Sequence, residues 1–114
     1  MVSGEIHFAR QPNLPADARV YVRLLDTSIA DAPARLMAEQ VLTDVWRQAN
    51  AGEPLAFALT GAPGDERNSY TLAVLVDVDG DGRTSRGDFI TMQSYPVHTR
   101  ANPDWVSVLV KEVI

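Results

Sequence analysis

A chain of 114 residues, 46% of them hydrophobic, is long enough to bury a core of its own and reads as one domain, 1–114. Its formal net charge of -5, with ten basic residues scattered along the chain and nine of them arginine, excludes nonspecific nucleic-acid binding, which depends on clustered positive charge. With no cysteine, disulfides and thiolate metal sites are excluded as well.

Taken in chain order, the first elements are strands. Ile6 and Phe8 alternate with Glu5 and His7, and Val20, Val22 and Leu24 alternate with Arg19, Tyr21 and Arg23, the period-two pattern of a half-buried sheet. Between them, Pro12 and Pro15 disfavour helix and remove ladder donors, so residues 11–15 form a connection. Residues 33–51 carry a conflict. Leu36, Met37, Gln40, Val41 and Val45 can share a helical face, with Ser28 or Asp31 as a cap, yet 41–46 is β-prone and 50–54 reads as a turn.

Four more β-rich segments follow at 54–60, 69–76, 88–97 and 105–113, and 71–76 is apolar throughout apart from Thr71, as expected of a central strand covered on both sides. The fold class is therefore all-β, a β-sandwich of about seven strands of immunoglobulin or transthyretin type.

The chemistry concentrates between Asp77 and Asp88, which read D-V-D-G-D-G-R-T-S-R-G-D. Carboxylates stand at positions one, three, five and twelve of a twelve-residue loop and glycine at position six, the spacing of a calcium loop. Asp77, Asp79 and Asp81 would supply side-chain oxygens, Arg83 its carbonyl, Ser85 a ligand water, and Asp88 the closing ligand, so a structural Ca2+ is the expected cofactor. Aspartate instead of glutamate at position twelve shortens that closing reach and predicts weaker binding. The alternative is a plain acidic hairpin turn, since Asp79-Gly80 and Asp81-Gly82 can reverse the chain without a metal.

Nothing selects an enzyme. The two histidines, His7 and His98, sit in no nucleophile elbow or paired metal motif, and no phosphate-cradling glycine loop is present. A small hydrolase using one of these histidines, with the acidic loop ordering its site, stays open as the competing reading. A transthyretin-like hydrolase is disfavoured because the chain ends in Lys111-Glu112-Val113-Ile114 rather than a Tyr-Arg-Gly-Ser-like tail.

Leu14-Pro15, Ala18, the run from Val20 through Asp26, Ser28, Asp31 and Pro33 to Ala34, then Gln40, Pro54-Leu55-Ala56-Phe57 and Tyr70-Thr71-Leu72 resemble the YbaY/YscW-like lipoprotein family. The resemblance implies a small β-sandwich and moves 36–45 from helix to strand, with a hairpin turn at 50–54. It implies a noncatalytic binder. The secretion-system branch consists of pilotins, chaperones that bind and localise the outer-membrane secretin of a type III secretion system, so the expected partner is a protein. Asp26, Ser28 and Asp31 are expected to hydrogen-bond a turn rather than attack a substrate. Residues 1–6 carry no basic region, long apolar run or lipobox, and no later segment could span a bilayer, so the chain as written is expected to be soluble, periplasmic if trimmed.

Overall fold

In the computed structural model, residues 2–27, 35–59, 70–80, 83–93, 95–97 and 104–114 are described. They form β1 (Val2–Phe8), β2 (Arg19–Asp26), β3 (Arg35–Leu42), α1 (Trp46–Asn50), β4 (Leu55–Leu59), β5 (Tyr70–Asp77), β6 (Phe89–Thr91), β7 (Pro96–Val97) and β8 (Asp104–Glu112). The all-β expectation is met. The strands join in one sheet of order β3-β2-β5-β6-β8-β1-β4, with β7 beside β5. Every pairing is antiparallel except β1 with β8, which run parallel from Val2↔Asp104 to Phe8↔Val110. The layers of the expected sandwich are thus continuous through β6, and the sheet rolls into a nearly closed barrel with β3 and β4 at its two ends.

Period-two alternation builds the interior. Val20, Val22 and Leu24 of β2, Leu55, Phe57 and Leu59 of β4, Leu72, Val74 and Val76 of β5, and Val108 and Val110 of β8 join one buried cluster. Inward position Gly4 of β1 carries no side chain because a Cβ there would run into the Val106 carbonyl group, whose carbon would lie 2.8 Å away. The central strand is covered on both faces in part: Leu75 is buried yet stands outside the core cluster, on the outward row between its register partners Tyr21 and Ile90.

The contested segment resolves as a strand followed by one turn of helix. β3 pairs along its length with β2, and tertiary pairing overrides the helical composition of its first half. Among the described residues of this segment helix survives only in the five of α1, whose Ala49 is buried in the core beside Val45. The hairpin expected at 50–54 does not form, because α1 carries the chain across to the opposite end of the sheet, so β3 and β4 are not hydrogen-bonded neighbours. Asn50 fixes that crossing: its Oδ1 accepts from Leu14 N at 2.7 Å and its Nδ2 donates to Leu14 O at 3.0 Å. The single strand expected over 88–97 is also split, into β6 and β7. Beside this break β5 finds other acceptors, with Val74 N donating to Thr91 Oγ1 at 3.3 Å and Leu72 N to Tyr95 O at 3.1 Å.

Candidate functional site

The acidic loop joins β5 to β6, whose pairing of Leu75 with Ile90 and Val76 with Phe89 makes it a hairpin. Alternation places Asp77 on the row of Leu75, at the very end of the central strand, and both Asp77 and Asp88 are buried. Asp88 organises the loop. Its Oδ1 accepts from Val78 N at 2.8 Å, and its Oδ2 accepts from Ser85 N at 2.9 Å and Ser85 Oγ at 3.1 Å. Asp77 Oδ1 accepts from Gly80 N at 3.1 Å, a tight turn that glycine permits by adopting φ +77°. The Ser85 hydroxyl lies 2.7 Å from Asp79 Oδ2, linking the exposed carboxylate to the buried one.

Of the six residues expected to hold a metal, the fold brings Asp77, Asp79 and Asp88 together, with one oxygen of each within 4.8 Å of the others. Oxygens on opposite sides of a calcium ion stand about 4.6–5.2 Å apart, so the three carboxylates fit a hard cation. Ser85 joins this cluster through its own hydroxyl, while Arg83 is exposed on the loop. Asp81 lies outside the described residues. The same contacts also close a turn by themselves, since both buried carboxylates already accept backbone N–H groups.

The competing hydrolase gains no geometry. His7 is exposed, with Nε2 3.3 Å from Glu5 Oε2, and lines a cavity of about 180 Å³ beside Gln11, Ala49 and Glu53. Among the described lining residues there is no serine, threonine or cysteine for a histidine base to activate. His98 lies outside the described residues, as do Ser28 and Asp31, while Asp26 ends β2.

Two contacts escaped sequence reasoning. Gln40 stands on the inward row of β3, opposite Val22, and its Oε1 accepts a hydrogen bond from Ala58 N of β4 at 2.9 Å. A side chain thereby bridges the gap between the two ends of the sheet. The available signal was a lone amide in the row Ala38, Gln40, Leu42. Where β6 stops short of the upper half of β8, Tyr95 Oη accepts from Leu109 N at 2.9 Å and donates to Leu109 O at 3.3 Å. Beside it Met92, 53% exposed, and Leu109, 36%, present apolar surface.

Over residues 1–109 the sequence matches the family described as type III secretion system lipoprotein chaperone (YscW). The chain belongs to the YscW family. An uncharacterized lipoprotein of Escherichia coli K12, YbaY, is 34% identical over 64 residues, 56% of this chain and 32% of the relative, so the match spans about a third of that relative's length. An alternative pilotin from the type II secretion system of Vibrio cholerae shares the fold with a TM-score of 0.73 at 27% identity, over 99% of this chain and 96% of that one.

YscW-family membership corrects one expectation. The family and its E. coli relative are both described as lipoproteins, which overturns the reading of a soluble chain without an anchor. That reading rested on the composition of residues 1–6 and the missing lipobox, and residues 2–6 lie in strand β1. Among the described residues no helix is long and apolar enough to cross a membrane.

Proposed function

We propose that this YscW-family chain is a noncatalytic, pilotin-type assembly chaperone that binds a secretin of a bacterial secretion apparatus and helps to place it in the outer membrane. The observation that carries this reading is the coincidence of a family match over residues 1–109 with a pilotin-like fold over nearly the whole of both chains. Deleting the protein from its own cells and fractionating the membranes tests it. Multimeric secretin should disappear from the outer membrane and return when the protein is restored; assembly that proceeds unchanged in the deletion strain would sink the reading.

The acidic loop is proposed as a structural Ca2+ site held by Asp77, Asp79, Asp81 and Asp88, with the Arg83 carbonyl and Ser85 completing the shell. Its support is the twelve-residue spacing together with the proximity of three of the carboxylates. Calcium at about a hundredfold above its dissociation constant should then stabilise the fold by roughly 2.7 kcal/mol. The paired replacements Asp79→Asn and Asp81→Asn should abolish the rise in Tm while leaving the sheet intact. A metal-stripped sample whose Tm and titration heat ignore millimolar calcium would reduce the loop to a turn.

A further inference from the structure

We infer, resting on the chaperone reading, that the gap between β3 and β4 is a slot for one extended segment of the protein partner, which enters as an added strand and completes the barrel.

Alternation identifies the backbone groups that face the gap. Val74 N and Leu72 N donate toward the β6 and β7 side of β5, so the groups of Ala73 and Leu75 turn to β2, where they meet Arg23 and Tyr21. The groups of Val22 and Leu24 then turn to β3 and meet Gln40 and Ala38, which leaves those of Glu39 and Val41 on the open edge. On the other side Ala58 N faces β3, since it donates to Gln40 Oε1 at 2.9 Å, and Ala56 faces the same way two residues earlier. Apart from that one bond to Gln40, the gap-facing backbone groups of Glu39, Val41, Ala56 and Ala58 have no hydrogen-bond partner among the described residues.

Two facing ladder edges select an extended backbone. Neither edge is guarded: β4 reads Leu-Ala-Phe-Ala-Leu, without the charge or proline that edge strands use against pairing, and on β3 the Glu39 carboxylate is taken up by Arg23 at 2.7 Å. The inward row of β3, Ala38, Gln40 and Leu42, is only half-buried, whereas the inward rows of β2 and β4 are buried. An added strand with apolar residues at alternate positions covers that row while its backbone meets both edges. The edge strand of a second copy belongs to a barrel of its own and reaches one edge at most, so a two-sided slot favours a free segment of another protein.

The test uses the full chain in its own cells. A photoreactive phenylalanine derivative replaces Val41 or Ala58, exposed residues on the two sides of the slot, and as a control Met92, which follows β6 at the middle of the strand order. Positions 41 and 58 should cross-link to one and the same short stretch of the secretin, and position 92 should not. In the purified complex with secretin the amides of Glu39, Val41 and Ala56 should exchange about tenfold more slowly than in the free protein, as ladder donors do. Ala56→Pro removes a donor that the fold itself does not use, so it should cut the cross-link yield about tenfold with little change in Tm. If proline lowers the Tm, the pair of cross-links and the exchange rates decide by themselves. Cross-links to a second copy of this chain, or from position 92 alone, overturn the slot, as do cross-links from 41 and 58 without slower exchange at Glu39, Val41 and Ala56. Silence at 41 and 58 in cells whose secretin assembly still depends on the protein overturns the slot and leaves the chaperone reading standing. Secretin assembly that is independent of the protein ends both.

Discussion

The 77–88 loop and the gap between β3 and β4 are both places where side chains take over from the backbone ladder, and they do so in opposite ways. In the loop a single buried carboxylate, Asp88, gathers Val78 N, Ser85 N and the Ser85 hydroxyl, all donors within ten residues of it in sequence. Across the gap one amide, Gln40, reaches an exposed backbone donor at Ala58, 18 residues away. Burial decides what each is worth. A donor stranded in the interior forfeits its partner and its water together, whereas one stranded at an exposed strand edge is simply hydrated. The loop is therefore a fixed point at one end of the barrel, and the gap between its edge strands is a place where the barrel is closed lightly.

Removing Asp88 gives the largest expected effect. In metal-stripped protein, Asp88→Ala leaves the Val78 and Ser85 amides without their acceptor, at about 1–3 kcal/mol for each group left unsatisfied. A total near 3 kcal/mol lowers the Tm by roughly 10 °C or more for a domain of this size. A fall of only a degree or two would show that the loop is held by other contacts and would erase the contrast. Gln40→Ala should cost about 1 kcal/mol or less, a shift of a few degrees at most, because the Ala58 amide it releases can turn to water. Hydrogen exchange sharpens this second case. The Ala58 amide should exchange faster in the variant while the amides paired between β2 and β5 keep their protection; unchanged exchange at Ala58 would mean that the gap is closed by something other than Gln40.

What was legible in the sequence follows from the same contrast between local and distant contacts. Alternation in 5–8 and in 19–24 marks strands because the period is written in consecutive residues, and the carboxylate spacing of 77–88 is local for the same reason. The pairing of β3 was inferred, but its place was not: a short turn at 50–54 suggested a hairpin, and only the burial of Val45 and Ala49 and the Asn50 bracket on Leu14 show why the chain crosses instead. Gln40 with Ala58, and Tyr95 with Leu109, are separated by 18 and 14 residues and meet only once the sheet has rolled. No window of sequence contains either pair. The family's lipoprotein description was beyond reach for another reason, since residues 2–6 are committed to a strand. It came from kinship with the YscW family.

The parallel pairing of β1 with β8 has a consequence for how the chain folds. Val2 to Phe8 lie between β4 and β8, so the first of the described strands is flanked on one side by the last of them, from Asp104 to Val110. Closing a loop of that length precedes any gain from the contacts it brings, which places such topologies among the slower folders, in milliseconds to seconds. Until the C-terminal strand is free, β1 has a partner on one edge only and the interior is open along that side. The barrel therefore closes along this seam only when residues as far apart as Val2 and Asp104 have met.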